Sequence, residues 1–355
     1  MRSSAASPGS VSNSWADRII PARRFVALLL LTPAVLLAAE VDSFTSRRVP
    51  LPDAVTDINH IVNQRLRQGV EQANASRVVV EMFEGIELTT EKPFCDQDDL
   101  YTALRTSIFQ SSLSWGLKGY DLDKQLREQL ADKSYSLSLR DSVYRDIDYL
   151  EGISLRLKEL TDVVNVDGHI IGLDKLGHFF AEGWRYHEIV SDEEGDLQQA
   201  MAWGLKKEQG LFGYTTTGIL SYADLVANFQ GWRFWNRVEL TRPDPLLDWV
   251  AQLFDRAYVS CDIKIIESLR QWRLVRAWSV NRHFDLRDYI DPSWDEGINC
   301  NSYADPVIEH KVRSRIAEID DAYSCPIHAA ACQSAQQRYG DYARQLLHPH
   351  CLIAD

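Results

Sequence analysis

The sequence predicts a mainly α protein: a compact multi-helix bundle with room for one small β-hairpin. Three observations predict it. Apolar residues recur at steps of three and four through most of the chain beyond residue 40. Only two short segments, 78–83 (VVVEMF) and 135–139 (YSLSL), read as strands. Six cysteines, Cys95, Cys261, Cys300, Cys325, Cys332 and Cys351, are even in number and crowd toward the end, as a disulfide framework stapling C-terminal helices would. At 355 residues, 45% hydrophobic and 25% charged, the chain has ample material for a core. No Gly/Ser- or Pro-rich linker enforces a split into domains.

Residues 1–39 read as a signal peptide or N-terminal anchor. The run 25–39 (FVALLLLTPAVLLAA) follows Arg23 and Arg24, ends in small residues and meets Glu40. It falls short of the roughly 20 apolar residues of a membrane span. Export to the periplasm is therefore expected, with membrane association through 25–39 wherever the segment stays uncleaved. The cysteines agree, since an oxidising compartment favours disulfides. Cys95 is expected to pair with Cys261, and the last four cysteines among themselves. A zinc site lacks the CxxC or comparable spacing it needs. The formal charge is −13; residues 1–39 carry four Arg and one Asp, a net +3, which leaves −16 for the rest. That balance argues against nucleic acid as a partner, because binding phosphates needs clustered Lys and Arg.

Residues 40–165 read as helical scaffold. Val55, Ile58, Val62, Leu66 and Val70 predict a helix over 53–75, and 99–115 reads as a second. Val143, Ile147, Leu150, Ile153, Leu157, Leu160 and Val163 predict one long core-facing helix. Residues 166–240 form the motif-bearing helical core of the same body. Residues 241–355 are the Cys-containing C-terminal region, with helices expected over 243–258, 263–278, 307–323 and 329–347. Within it, the acidic run Asp285, Asp288, Asp291, Asp295 and Glu296 lacks an EF-hand pattern and reads as a solvated loop.

The central stretch concentrates the chemistry. In a helix over 174–190, Asp174, His178, Glu182 and Arg185 share one face, opposite Leu176, Phe179, Phe180 and Trp184. Such a face is either a wet surface laced by i,i+4 pairs or one wall of a site. In a second helix over 196–209, Glu208 lies on the apolar face of Leu197, Met201 and Leu205, at the C-terminus where a negative charge opposes the helix dipole. It needs a partner, a proton or a chemical task; fraying of the helix end into water is the competing account. A third helix begins at Ser221, with Asp224 in capping-box position. Asp224 shares its face with Asn228, Gly231, Trp232 and Trp235, so partners are expected from Lys175, His178 or Arg185. Gly177 and Gly204, unfavourable inside helices, predict close approach of another backbone.

Asp174-Lys175-Leu176-Gly177-His178-Phe179 resembles the DKxxHF signature of VanZ-like proteins and of a related group of uncharacterised periplasmic proteins. Glu208, followed by Asp224, Asn228 and Gly231 as DxxxNxxG, resembles the later elements of that pattern. The resemblance covers residues 168–231 alone. VanZ-like proteins are integral membrane proteins linked to glycopeptide-antibiotic tolerance; the helices here are too short and polar to span a bilayer. What the resemblance implies is a shared constellation of Asp174, Lys175, His178, Glu208, Asp224 and Asn228, without a reaction. Glu182, Arg185 and Trp232 flank it as candidate binding residues.

His169, His178 and His187, with Glu182 and Glu208, could in principle hold a metal. His187, however, points away from His178, and no HExxH pair occurs, so no metal ligand is assigned and the cofactor is left open. A serine hydrolase elbow, GxSxG, is lacking. Two functional readings follow. In one, His178 and a carboxylate are general acid and base on a cell-envelope substrate, with Lys175 or Arg185 neutralising an anionic group. In the other, the same residues form a buried network in a non-catalytic envelope protein.

Overall fold

Helix dominates, and most helices start where a short polar side chain takes up their free N–H groups. The computed structural model describes residues 40–83, 95–110, 121–157, 160–210, 213–268 and 271–352. All of them belong to one compact unit, Leu37–Asp355. Asp42 caps α1 (Ser43–Ser46), Asp53 bonds the first N–H of α2 (Val55–Phe83), and Asp96 caps α3 (Gln97–Ile108). After α4 (Asp121–Gln129) comes β1 (Ser134–Tyr135), then α5 (Ile153–Leu157). With β2 (Val163–Val166) and β3 (His169–Gly172), β1 forms an antiparallel sheet in the order β1-β2-β3, Val163 facing Gly172.

The motif region follows. The run α6 (Asp174–Gly177) passes through a π-helical turn, His178–Glu182, into α7 (Gly183–Ser191). Asp196 caps α8 (Leu197–Glu208). β4 (Ile219–Leu220) leads into α9 (Tyr222–Arg237), capped by Ser221. Then come α10 (Trp249–Phe254), the long antiparallel pair β5 (Val259–Ser268) and β6 (Gln271–Val280), and β7 (Ser302–Tyr303), which pairs with β4. The chain closes with α11 (Pro306–Ile319), α12 (Ala329–Tyr339) and α13 (Ala343–Leu346). Disulfides join Cys95 to Cys261, Cys300 to Cys325 and Cys332 to Cys351.

Helix α9 is the axis of the core. Every residue from Ala223 to Arg237 is buried, polar ones included. Burial on all sides forces each polar group to find a partner. Arg233 grips Asp244 at 2.7–3.0 Å, Gln230 accepts from Arg233 and donates to Tyr339, and Arg237 reaches Asp255 at 3.0 Å. Its crossing with the motif helix is set by two glycines. A Cβ on Gly231 would lie 1.8 Å from the Phe179 carbonyl, and one on Gly183 would lie 2.5 Å from the Gly231 Cα. Trp235, also on α9, donates its indole N–H to the Phe180 carbonyl of the π-turn at 2.8 Å.

Several expectations are corrected. The backbone of 78–83 continues α2 and is not a strand, and only Ser134–Tyr135 of the second expected strand pairs. The long helix over 143–163 reduces to α5. Asp148 turns the chain by accepting from Leu150 N and Glu151 N, and Gly152 presses so close to Thr217 that a Cβ would sit 2.6 Å from its carbonyl. Val143, Ile147, Leu155 and Leu160 are buried, but Leu150 is 99% exposed. Residues 263–278 belong to the β5–β6 pair and are not a helix. Polar and apolar residues alternate along Cys261-Asp262-Ile263-Lys264-Ile265, the Cys95–Cys261 disulfide pins the strand, and Asn74 bonds both backbone groups of Trp278. Helix over 243–258 shrinks to α10.

Gly177 has open space where its Cβ would be, and Gly204 makes room for the Tyr186 hydroxyl; neither admits a second backbone. The acidic run is not uniformly solvated either, since Asp291, Asp295 and Glu296 are buried.

Candidate functional site

Three elements bring the motif residues together. The first turn of α6 supplies Asp174 and Lys175, the π-turn supplies His178 and Glu182, and the first turns of α9 supply Asp224 and Asn228. Ser221 accepts from Asp224 N at 3.2 Å, which fixes the Asp224 side chain at the helix start. The π-turn changes which faces His178 and Glu182 present, and such turns recur at functional sites.

At the centre lies the Lys175 ammonium, 1% exposed. It stands 2.9 Å from Asp174 Oδ2, 2.6 Å from Asp224 Oδ1 and 2.7 Å from Glu296 Oε1. Burial works against its charge, but the three carboxylates outweigh burial and hold its pKa well above the ordinary value. His178 is the second hub. Its Nε2 lies 3.3 Å from Asp224 Oδ2 and its Nδ1 lies 3.1 Å from Asn228 Oδ1. Each ring nitrogen faces an oxygen; a ring carrying two protons satisfies both, and a ring carrying one needs the Asn228 amide turned round.

The electrostatics divide the acids into two kinds. Burial alone would raise Asp224, but His178 and Lys175 outweigh it and hold the carboxyl below its ordinary value. Burial wins at Asp174 and Glu296, which are raised in spite of Lys175. Glu208 and Glu40 are pushed far up, first by burial and then by neighbouring charge: Asp224 and Glu40 act on Glu208, Glu296 and Asp224 on Glu40. Among the described residues, no hydrogen-bond donor reaches the Glu208 carboxyl, although the residue is 2% exposed. Five enclosed carboxyl groups thus face one lysine and one histidine.

The sequence reading missed four participants. Glu296 was expected in solvent, yet it bonds Lys175, accepts from Ser221 at 3.0 Å and accepts from Asn301 at 2.7 Å. Asn301 also donates to the Tyr144 hydroxyl at 3.3 Å. Glu40 was read only as the residue after the apolar run. A signal for Glu296 does exist: Ile290, Trp294 and Ile298 recur at steps of four through the acidic run, marking it as interior. Of the candidate binding residues, Glu182 lies beside His178 and is raised by burial. Arg185 turns outward and pairs with Glu188 at 3.0 Å, so it is not a partner of Asp224. Trp232 is 3% exposed and packs its ring against Phe229.

Two cavities approach the cluster from different sides. One, of about 470 Å³, has Glu296 and Asn301 in its wall, with Tyr303, Arg313 and His348. The other, of about 300 Å³, is walled by Glu182, Trp184, Arg185 and Trp203. The two differ in what they offer. Both oxygens of Glu296 are taken by Lys175, Ser221 and Asn301, whereas the Glu182 carboxyl bonds none of the described residues. Asp174, His178 and Asp224 place three possible metal-donor atoms within 4.8 Å of one another, but the Lys175 ammonium already lies between the two carboxylates. His187 is held away from the cluster, buried against Tyr101 and Trp184, and burial lowers its pKa to about 4.

No protein-family model matches this sequence, and comparison with curated proteins and with solved structures yields no match.

Proposed function

We propose that the chain is an exported cell-envelope protein whose Asp174–Lys175–His178–Glu208–Asp224–Asn228 constellation, of the VanZ-like kind, carries out acid–base chemistry on an envelope substrate. The observation that carries this reading is the surplus of enclosed acid. A purely structural network gains by matching its charges, because an unpaired buried charge costs several kcal/mol, on the order of 3–5 when one partner is removed. Here Glu208 and Glu40 are driven to keep their protons while Asp224, in the same cluster, is driven to lose its own. Carboxyl groups pushed apart in this way are what acid–base catalysis uses, one as proton donor and one as the base that orients and charges a histidine. His178 is the group that moves the proton, Asp224 and Asn228 hold its ring, and Lys175 keeps Asp224 ionised. Export is supported by the three disulfides, and the substrate approaches from the side of the uncommitted Glu182 carboxyl.

The test compares the wild type with His178→Gln and Glu208→Gln on fractionated cell-envelope extract, with products followed by mass spectrometry and melting temperatures recorded in parallel. Product formation should fall by roughly 10²–10⁴-fold in both variants, with melting temperatures within a few degrees of wild type. Absence of any wild-type product, together with large losses of stability in both variants, would favour the buried-network account instead.

A further inference from the structure

Several apolar residues at helical spacing in and before α5 face outward. Tyr149, Leu150, Ile153 and Leu157 are exposed by 60, 99, 53 and 70%. Ile153 and Leu157 lie four apart on α5 and share its outer side, while Ser154 and Leu155 turn into the core. Helix α11 extends this surface: Lys311 bonds Glu151 at 2.6 Å, and Val307, one turn before Lys311 on the same side, is exposed as well. The charges nearby are occupied, since that ion pair neutralises Glu151 and Asp148 accepts from Leu150 N and Glu151 N. A contiguous apolar patch of this kind marks contact with a partner or a membrane. Where the chain enters the fold separates the two. The Glu40 carbonyl accepts from Thr161 N, four residues beyond Leu157, at 3.0 Å, and the Glu40 side chain bonds Thr217. Ser154 of α5 donates its N–H to the adjoining Thr216 carbonyl at 2.8 Å. Glu40 is thus held about one helix width, roughly 10 Å, from the patch. Immediately before Glu40 in sequence stands the apolar run 25–39. Even wholly helical, those fifteen residues would reach about 22 Å against roughly 30 Å of hydrocarbon, so an uncleaved run draws Glu40 down to the bilayer surface. Size argues the same way. Five side chains fall well short of the roughly 20–30 residues a side of a stable protein interface, whereas partition into lipid grows with each apolar group buried.

We propose that Tyr149, Leu150, Ile153, Leu157 and Val307 form a membrane-docking face that enters the lipid interface beside the point where residues 25–39 join the fold. The contact is apolar and needs no anionic headgroup, which suits a chain of net charge −13. It stands whether or not the polar cluster is catalytic, and it would hold that cluster at the membrane surface.

Spin labelling of the full chain in phosphatidylcholine vesicles tests it. All six native cysteines are in disulfides, so a nitroxide attaches only to an introduced one. Labels at Leu150→Cys and Leu157→Cys are expected to be shielded from a water-soluble nickel chelate by about threefold or more, relative to a label at the exposed polar position Glu193→Cys, with contact to dissolved oxygen raised in step. Raising the salt should leave this unchanged, because the contact is not electrostatic. Adding Ile153→Glu should return the Leu150 label to the nickel exposure of the Glu193 one, which separates docking by the patch from tethering by residues 25–39. Ile153 is a surface side chain, and circular dichroism checks that the fold is kept. A label at Phe254→Cys reports on α10, which also exposes Trp249, Leu253 and Phe254. Equal nickel exposure at 150, 157 and 193 overturns the proposal, as does shielding at 254 in place of 150 and 157, or a Leu150 label still shielded in Ile153→Glu. Dipolar broadening between Leu150 labels on two copies, present without lipid, would assign the face to a dimer instead and overturn it too.

Discussion

Glu208 is where the chemistry of a single residue can be tested most directly. Its carboxyl ionises near the ordinary value of 4.5 in the unfolded chain and well above it in the folded one. Between those two values the folded protein holds a proton that the unfolded chain has lost, so raising the pH through that window lowers stability. Glu208→Gln keeps the shape and removes the proton equilibrium. It is expected to raise the melting temperature at pH 8 by about 2–4 °C, on the order of 1 kcal/mol, and to change little at pH 4; calorimetry at the two pH values checks this. A drop at both would mean that Glu208 is an ionised, partnered group. Lys175→Met should act in the opposite sense. It strips the counter-charge from Asp174, Asp224 and Glu296, and a loss of about 3–5 kcal/mol is expected in urea unfolding. Glu208 was legible in the sequence because it broke two local rules at once: an acid on an apolar face, at the wrong end of a helix dipole. Glu296 and Glu40 broke neither rule, although the spacing of Ile290, Trp294 and Ile298 does mark the segment around Glu296 as interior. Their partners, Lys175 for Glu296 and Thr217 for Glu40, lie far along the chain, and local pattern does not name such partners.

At the scale of elements, the site exists because α9 and the π-turn touch backbone to backbone. The two glycines of that crossing are therefore not interchangeable with those elsewhere on the same helices. Gly231→Ala forces a methyl group into the Phe179 carbonyl, and a loss of about 1–3 kcal/mol is expected. Because that carbonyl belongs to the turn carrying His178, the His178–Asn228 contact should shift too, visible as displaced imidazole signals in NMR spectra. Gly177→Ala meets nothing and sits at ordinary helical angles, φ −62° and ψ −48°, so it should stabilise by up to about 1 kcal/mol. Equal effects at the two positions would refute the crossing as drawn. The motif helices were legible for a physical reason: Asp196 and Ser221 are N-caps, and caps are local chemistry. The misread elements failed where a tertiary contact overrode period. Apolar residues at steps of three and four through 143–163 could not stay helical with Asp148 and Gly152 turning the chain. Similarly, 263–278 is dense enough in Ile, Val, Leu and Trp to satisfy either period, and the disulfide at Cys261 and the bonds from Asn74 select the strand.

For the whole molecule, these buried groups combine into one pH dependence with two opposing arms. His187 and His348 are both held near 4 by burial, against an ordinary value of 6.5. Between those values the unfolded chain binds protons that the folded one refuses, so this arm takes stability away as the pH falls from about 6.5 toward 4. Glu40 and Glu208 act the other way, taking stability away as the pH rises above 4.5 toward their raised folded values. From about 4.5 to 6.5 the two histidines offset only part of the carboxyl arm, because Asp42, Asp174, Glu182, Glu239, Asp295 and Glu296 are raised by burial as well, and stability already declines there as the pH rises. Above 6.5 the histidines are neutral in both states and drop out. The carboxyl arm then acts alone, and stability falls for as long as Glu40 and Glu208 keep their protons. The expected profile is thus a decline with rising pH, partly offset by the histidines below 6.5 and continuing by several degrees in melting temperature from pH 6.5 to pH 8.5. Asp224, held below its ordinary value, contributes its stability above pH 3.8 and leaves this shape unchanged. Thermal unfolding followed by circular dichroism across pH 5–9 measures the profile. Repeating it with Glu208→Gln should shallow the decline on both sides of pH 6.5, whereas His187→Phe should leave the alkaline side as it is and steepen the acid side toward greater stability at pH 5. A wild-type curve that climbs from pH 6.5 to 8.5 would mean that the enclosed acids are ionised, and the proton reserve on which the acid–base proposal rests would not exist.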